Sequence, residues 1–290
     1  TLPFAEPPQG HGFGFVLNGE LSIRIHSTIV LRHVELDADH DAKTDQPETD
    51  EAALKAVLAE LNSLIGMENI KQEVSTLINL LRVQRLRQQR GFVTLPVSYH
   101  MVLTGPPGTG KTTVARLIGE IYKALGILPK GHLIETDRAG LVAPYVGQTA
   151  QRVEELVVKG MGGVLFIDEA YALLPKGDGQ QNDFGQEAIE ALLKRMEDHR
   201  GRFAVIIAGY ADEMHRFLQA NSGVESRFNR YFYFEHYKPH ELFRIFELFC
   251  REMSLILAPE AKKALLTRFE QAYLARDRAF GNGRFARNLL

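Results

Sequence analysis

The sequence predicts an α/β protein: a parallel sheet flanked by helices, a small helical lid after it, and an extra β module before it. Three observations support this architecture. Short apolar runs alternate with amphipathic helical patterns in residues 54–237, as in a parallel sheet covered on both faces. Only helical periodicity remains in residues 238–290, whereas residues 1–36 show the period of two that is typical of strands. A chain of 290 residues is long enough for more than one domain.

The first 36 residues are predicted to form the small β module, which we interpret as the end of an upstream domain. Apolar and polar residues alternate from Phe13 to Val34 in what we expect to be three strands, and Asn18-Gly19 is typical of a type I′ hairpin turn. Residues 37–53 are rich in Asp and Glu and therefore predict a linker. Because the chain starts without Met and ends within a helical pattern, we expect it to be a fragment.

The large domain, residues 54–237, is predicted to contain a five-stranded sheet. The strand candidates are the apolar runs His100–Thr104, Leu133–Thr136, Val164–Asp168, Phe203–Ala208 and Tyr231–Phe234. Amphipathic helices are predicted at Lys111–Leu125 and Phe184–His199, because apolar residues recur there at intervals of three and four. Residues 238–290 predict the lid, whose pattern is cut off at the end of the chain.

Composition narrows the class of protein. The 34 Lys and Arg residues nearly balance the 36 Asp and Glu residues, so a net charge of -2 offers no general attraction for nucleic acid. The single cysteine, Cys250, cannot form an intrachain disulfide, which favours a reducing compartment. No apolar run approaches the ~20 residues of a membrane-spanning helix. We expect a cytoplasmic protein with neither a nucleic-acid nor a membrane partner.

The segment Gly105–Thr112 predicts a phosphate-binding loop. Its sequence, GPPGTGKT, matches the pattern GxxxxGK[ST], follows an apolar strand and opens an amphipathic helix. Lys111 is predicted to neutralise phosphates, and the Thr112 hydroxyl to bind Mg²⁺. The residues expected to contact the nucleotide are Pro107, Gly108, Thr109, Gly110, Lys111, Thr112 and Thr113. Taken alone, the loop could also be a Gly-rich structural turn.

A pair of carboxylates supports the first interpretation. Asp168 and Glu169 end a fully apolar strand candidate, at the edge where parallel sheets bind ligands. Asp168 is expected to hold Mg²⁺, usually through a water, and Glu169 to polarise the water that attacks the γ-phosphate. The alternative for this pair is a solvated strand end.

Together with the helical lid, these motifs resemble the AAA+ ATPases, and among them the group that contains the red-type rubisco activase CbbX and the spore-formation protein SpoVK. The resemblance covers residues 61–290, and the first 50 residues have no counterpart that we recognise in the activase. Its motifs are LIGM at 64–67, GPPGTGKTTVA at 105–115, KGHL at 130–133, YVGQTA at 145–150, GGVLFIDEAY at 162–171, FGQEAIE at 184–190, IAGYAD at 207–212 and SRF at 226–228.

The resemblance implies a ring, usually a hexamer, with ATP and Mg²⁺ held between neighbouring subunits. Arg227 matches the arginine finger that one subunit donates to its neighbour's ATP, and Arg230 is its rival. Arg284 matches the lid arginine called sensor 2, which reaches the γ-phosphate of its own subunit. Arg287 is the alternative, expected to face solvent.

Three further positions are interpreted through the resemblance. Tyr145 matches the pore aromatic that grips a client peptide, although an exposed tyrosine can also pack against its own domain. Ile65 and Gly66 match the segment that contacts adenine, where an apolar residue could equally belong to the core. Tyr210 occupies the sensor 1 position, where many AAA+ proteins carry Asn, Thr or Ser, and this departure puts a direct hydrogen bond to the attacking water in doubt.

The sequence therefore predicts a Mg²⁺-dependent ATPase that acts as a ring-shaped protein-remodelling motor on a client of unknown identity. An ATP-dependent assembly switch or scaffold for a partner protein is the alternative. A nucleic-acid motor is disfavoured by the net charge. The one concentrated basic stretch, residues 82–90, is typical of a solvated helix face.

Overall fold

The computed structural model describes residues 49–93, 97–145, 147–174 and 184–290, together with the backbone of two strands near the start of the chain. These residues belong to two units, 1–43 and 44–290.

The first unit contains an antiparallel hairpin of β1 (Phe13–Leu17) and β2 (Leu21–Ile25). Leu17 pairs with Leu21, and the predicted type I′ turn at Asn18-Gly19 lies outside the described residues. The predicted third strand, at 29–34, and most of the predicted linker lie outside the described residues.

The second unit is built on a five-stranded parallel sheet, as the sequence predicts. Its strands are β3 (Met101–Thr104), β4 (Leu133–Thr136), β5 (Val164–Ile167), β6 (Ala204–Gly209) and β7 (Tyr231–Tyr233). They lie in the order β4-β5-β6-β3-β7, with Leu103 opposite Ala208 and Phe166 opposite Ile206. Every strand bound falls within one residue of its predicted position.

Helices connect the strands and form the lid. In the large domain they are α1 (Glu51–Ser63), α2 (Glu68–Gln89), α3 (Lys111–Ala124), α4 (Arg138–Leu141), α5 (Thr149–Gly160), α6 (Gly185–Asp198), α7 (Ala211–Gln219), α8 (Ser222–Arg227) and a 3₁₀ helix at Ala170–Leu173. The lid contains α9 (Pro239–Glu252), α10 (Pro259–Leu274) and α11 (Gly283–Asn288).

Alternate residues of the strands bury two separate apolar layers. Leu103, Phe166 and Ile206 belong to the layer that α1, α2 and α3 cover. Their neighbours Leu165 and Ile207 belong to the layer beneath α5, α6 and α7. Because side chains alternate between the faces of a strand, these continuous apolar runs can fill both layers. The lid has a third apolar cluster of its own.

Helix α1 begins inside the acidic segment that the sequence predicts to be linker up to residue 53. The Asp50 carboxylate accepts a hydrogen bond from the N–H of Ala53 at 2.9 Å, and Glu51 lies in the first turn. Acidic residues stabilise the start of a helix by binding its free N–H groups and by favourable interaction with its dipole. The end of the acidic run is therefore a helix start.

The basic stretch on α2 is more than a solvated face. The Arg82 guanidinium lies 2.6 Å from the Glu51 carboxylate, and Arg85 donates to the Thr49 hydroxyl at 2.9 Å. These side chains tie α2 to the start of α1. No helix among the described residues is long and apolar enough to cross a membrane.

Candidate functional site

A cavity of about 710 Å³ lies where the carboxyl ends of β3, β5 and β6 meet the lid. The loops that follow these strands all contribute to its wall, as expected at the carboxyl edge of a parallel sheet. The predicted site residues that line it are Ile65, Pro107, Gly108, Thr109, Gly110, Lys111, Thr112, Thr113, Asp168, Glu169 and Arg284. The structure thus brings together residues that are as far apart in the sequence as Ile65 and Arg284.

The phosphate loop owes its shape to its glycines. Gly108 and Gly110 have φ values of 68° and 90°, a backbone conformation that residues other than glycine rarely adopt. The Thr109 hydroxyl is buried and donates to the Pro106 carbonyl at 2.8 Å, which tightens the turn. Helix α3 starts directly after the loop, so its first N–H groups and its dipole face the cavity. This arrangement suits an anion.

Lys111 lies within the loop that it is predicted to serve. Its ammonium donates to the carbonyl oxygens of Gly105 at 2.9 Å and Pro106 at 2.8 Å. Burial lowers the pKa of Lys111 to about 8, with the nearby Arg284 charge acting in the same direction, while Asp168 and Glu169 oppose the shift. The lysine therefore loses part of its charge near neutral to mildly alkaline pH, and added negative charge in the cavity would restore it.

The carboxylate pair follows β5, which β6 separates in the sheet from β3 and the phosphate loop after it. The Asp168 N–H donates to the Thr136 carbonyl on β4 at 2.9 Å, and its Oδ1 accepts from the Glu169 N–H at 3.0 Å. Glu169 is exposed and has a φ of 49°, an uncommon value for a residue other than glycine. Glu169 lines the cavity, so its carboxylate is available there.

The oxygen donors in this cavity fit Mg²⁺. Thr112, with its hydroxyl, and Asp168, with its carboxylate, both line the cavity, and oxygen ligands are those that Mg²⁺ prefers. Among the described residues no group of three or more His, Cys, Asp or Glu side chains could hold a metal ion by itself. A magnesium ion here would thus take its remaining ligands from phosphate and water, as is usual for this metal.

The lid places two arginines at the cavity. Arg284 and Arg287 both line it from α11, and both side chains are exposed. Arg287 lies over the Phe249 ring, with its guanidinium carbon 4.8 Å from the ring centroid. Arg287 is thus exposed to solvent, as expected, and in addition its guanidinium packs on an aromatic ring of the cavity wall.

Ile65 and Gly66, although adjacent in the sequence, differ in their position relative to the cavity. Ile65 lines the cavity, in keeping with a contact to a base, whereas Gly66 is not part of the wall. Gly66 has a φ of 67°, and an added Cβ would lie 2.6 Å from an Oε1 atom of Glu241. The positive φ of this turn thus favours glycine, and the contact of Gly66 with adenine stays a prediction.

Tyr210, at the predicted sensor 1 position, lines the cavity and contacts the lid. The guanidinium carbon of Arg278 lies 4.9 Å from its ring centroid, and the Tyr171 ring lies 6.2 Å away. Arg278 also forms an ion pair with Glu213 on α7. This contact between the sheet edge and the lid was not predicted from the sequence.

Besides Gly66, two further predicted functional residues lie outside the cavity. Arg227 is the last residue of α8, where Nη2 is 3.4 Å from the Glu197 carboxylate and Nη1 donates to the Gly223 carbonyl at 3.1 Å. Tyr145 lies before α5 with 68% of its surface exposed, so it does not pack into its own domain. Neither side chain lines the cavity of its own chain.

Sequence reasoning missed the residues that join the lid to the phosphate loop. Asn282 is fully buried, and its amide donates to the Pro107 carbonyl at 3.1 Å. The Tyr237 hydroxyl donates to the Thr109 carbonyl at 3.2 Å. The only signal for Asn282 is its place beside Arg284 in the GNGR segment.

Comparisons with known proteins agree with this geometry. The family described as "ATPase family associated with various cellular activities (AAA)" matches residues 101–236, and the AAA lid domain matches residues 238–290. Stage V sporulation protein K of Bacillus subtilis is 39% identical, over 94% of this chain and 84% of that protein. The chain belongs to the AAA ATPase family. The chloroplastic ribulose bisphosphate carboxylase/oxygenase activase of Cyanidioschyzon merolae is 41% identical, over 82% of each chain.

These relatives place this AAA ATPase in the CbbX and SpoVK group that its motifs indicate. The ESX-1 secretion system protein EccA1 of Mycobacterium tuberculosis is 41% identical over 83% of this chain, which spans only 43% of EccA1. A solved structure of a Thermotoga maritima RuvB mutant shares the fold, with a TM-score of 0.51, 23% identity, and coverage of 84% of this chain and 64% of that one.

The match with the sporulation protein also bears on the start of the chain. Residues 51–290 are 240 of the 290 residues, so a match over 94% of the chain extends into the first 50 residues. This segment therefore has a counterpart in the sporulation protein.

Proposed function

We propose that this AAA ATPase assembles into a ring, a hexamer as is usual in the family, and hydrolyses ATP between neighbouring subunits. It uses the energy to remodel a client protein. The observation that carries the proposal is the division of the catalytic set. The phosphate loop, the carboxylate pair and Arg284 surround one cavity, while Arg227 lies on another part of the same chain. A cavity completed by the arginine of a neighbouring copy accounts for this division.

Within one subunit, each group has a separate task. The loop amides and Lys111 bind the β- and γ-phosphates, and Glu169 accepts a proton from the attacking water. Thr112 and Asp168 would hold Mg²⁺, which neutralises charge on the phosphates when it is bound. Arg284 adds a second positive charge on the lid side of the cavity. Ile65 provides apolar contact for the base.

The neighbouring subunit supplies Arg227. Its side chain is 30% exposed at the end of α8, and Glu197 holds the guanidinium at the surface. A guanidinium is always charged and fits phosphate oxygens, so it can stabilise charge that develops on the γ-phosphate. Arg230 remains the rival at the same surface, since its side chain is also partly exposed.

Client engagement is assigned to Tyr145. An exposed aromatic ring can hold many different peptide sequences through apolar area alone. If the exposed tyrosines of all subunits face a common pore, their movement during ATP turnover would pull on a chain that occupies it.

A Glu169→Gln variant tests the hydrolytic part. The amide cannot accept the proton, so we expect turnover to fall by about 10² to 10⁴ while nucleotide affinity stays within a few-fold of the wild type. Phosphate release and binding of a fluorescent ATP analogue are the measurements. Wild-type turnover in the variant would contradict the role of Glu169. A variant that binds ATP without turnover yet keeps full biological activity would favour the assembly switch over the motor.

A further inference from the structure

Asn282 occupies a backbone conformation that normally requires glycine. It precedes α11 with φ of 48° and ψ of -117°, and it is fully buried. These angles match the first central position of a type II′ turn, where glycine is the usual residue. Any other residue is strained there, so the contacts of the Asn282 side chain have to offset the strain.

The side-chain amide of Asn282 uses both of its ends. Nδ2 donates to the carbonyl oxygens of Pro107 at 3.1 Å and Phe280 at 2.9 Å, and Oδ1 accepts from the N–H of Tyr237 at 3.1 Å. These backbone partners fix the orientation of the amide, because carbonyls only accept and an N–H only donates. One side chain thus joins the phosphate loop, the segment that leads into the lid, and the lid itself.

Three consecutive carbonyl groups of the phosphate loop accept hydrogen bonds at this junction. The donor and acceptor pairs are Asn282 Nδ2 with Pro107, Gly283 N with Gly108 at 3.0 Å, and Tyr237 Oη with Thr109 at 3.2 Å. In a planar trans peptide, C=O and N–H point in opposite directions. The N–H groups of residues 108, 109 and 110 therefore point away from these donors.

These three N–H groups are suited to donate hydrogen bonds to a phosphate in the cavity. Within the described ranges, none of them donates to a protein acceptor, although each lies in a tightly folded loop. Successive free N–H groups in such a loop form an anion-binding concavity. Lid and loop are also in direct backbone contact, since a Cβ on Gly108 would lie 2.1 Å from the Gly281 oxygen.

We propose that Asn282 is a positioning residue that couples the phosphate loop to the lid, so that bound phosphates and a docked lid stabilise each other. By holding the Pro107 carbonyl on the lid side, it directs the next N–H into the cavity. The coupling is reciprocal: whatever orders the loop also favours the docked lid. This inference rests on the proposed function, because it requires the loop to bind ATP.

Hydrogen exchange of the full chain, with and without a non-hydrolysable ATP analogue and Mg²⁺, tests the coupling. In the wild type we expect the analogue to slow exchange in the loop and in residues 281–287, including the N–H of Gly283. Asn282→Gly suits the backbone but removes the amide, and Asn282→Asp keeps the shape but loses the Nδ2 donor. Both variants should bind the analogue about 10-fold more weakly and lose the protection of residues 281–287.

Asn288→Asp is the matched control, because Asn288 is exposed at the end of α11 and should behave as the wild type. The thermal midpoint without ligand reports folding, and Asn282→Gly decides the matter if Asn282→Asp does not fold. Nucleotide-dependent protection of the lid that survives in Asn282→Gly, or no protection of Gly283 in the ligand-bound wild type, would overturn the inference. A wild-type chain that binds no nucleotide would instead remove the proposed function.

Discussion

At the scale of single residues, the charge on Lys111 determines how strongly the cavity attracts phosphate. Its ammonium is partly buried beside the carbonyls of Gly105 and Pro106, and this burial lowers the pKa of Lys111 to about 8. Only the protonated form provides the charge that phosphates need. Bound phosphates raise the pKa of Lys111 again, because opposite charges stabilise the ammonium.

This shift predicts a pH dependence of nucleotide binding. Below pH about 8 the free protein already carries the proton, whereas above it each binding event has to take a proton up. We therefore expect affinity to fall as pH rises above 8, by up to about 10-fold per pH unit until the pKa of the complex is reached. Titration calorimetry in two buffers of different ionisation enthalpy measures the proton uptake. Constant affinity with no proton uptake between pH about 8 and 9.5 would contradict this prediction.

The functional residues that could be predicted from the sequence are those that lie in short, recognisable sequence motifs. Lys111 and Asp168 each follow a strand in a recognisable pattern, so their positions at the sheet edge could be predicted. Asn282 and Pro107 are 175 residues apart, and no local pattern indicates that they meet. Tyr210 likewise acquires its contact with Arg278 only through the folded lid.

At the scale of elements, apolar runs and helical periodicity predicted the sheet well. The runs of β3, β5 and β6 bury both faces of their strands, which makes their pattern unambiguous. The predicted helix at 111–125 ends one residue early, at Ala124, and Gly126 lies in the left-handed region. The start of α1 was missed because acidic residues near a helix terminus have the same composition as a linker. The order of the strands depends on contacts far apart in sequence.

Helix α3 illustrates how packing overrides helix propensity. Gly119 lies in its middle, where alanine would favour the helix by about 1 kcal/mol. An added Cβ would however lie 2.4 Å from the Gly131 carbonyl oxygen. This oxygen belongs to the backbone, so it cannot move aside as the tip of a side chain could. The glycine is therefore needed for the close approach of α3 to the segment before β4.

We predict that Gly119→Ala lowers the free energy of unfolding by about 1 to 3 kcal/mol, since the clash outweighs the gain in propensity. Urea denaturation at fixed temperature measures the change. Glu120→Ala on the same helix is the control: it removes a partly exposed ion pair with Arg116 and should change stability by about 0.5 kcal/mol or less. A stabilised Gly119→Ala variant would show that the contact relaxes without cost.

At the scale of the whole molecule, the exposure of Tyr145 predicts a role that appears only with a client. We expect an unstructured model polypeptide to stimulate the ATPase rate of the wild type, and Tyr145→Ala to lose this stimulation while its basal rate stays within about two-fold. Phosphate release with and without the polypeptide measures both quantities. Tyr231→Ala is the matched control, because Tyr231 is also half-exposed but lies on β7. Equal stimulation of wild type and Tyr145→Ala would rule out threading by this residue.

The assembly of the catalytic set cannot be predicted from one chain, because an interface is a property of two surfaces. The resemblance predicts Arg227 as the finger, and the fold adds that it lies outside the cavity of its own chain. A heterologous contact, repeated around a ring, would bring each Arg227 to the next cavity. Removing it should lower turnover by about 10³ to 10⁵.

Mixing two inactive variants tests this claim most directly. Glu169→Gln lacks the base but keeps the finger, and Arg227→Ala keeps the base but lacks the finger. Each alone should be nearly inactive, whereas an equimolar mixture should recover up to about a quarter of wild-type turnover, because about one interface in four then joins an intact cavity to an intact finger. Recovery that depends on mixing is the predicted result. Full turnover by Arg227→Ala alone, or no recovery in a mixture that is shown to co-assemble, would contradict hydrolysis between subunits.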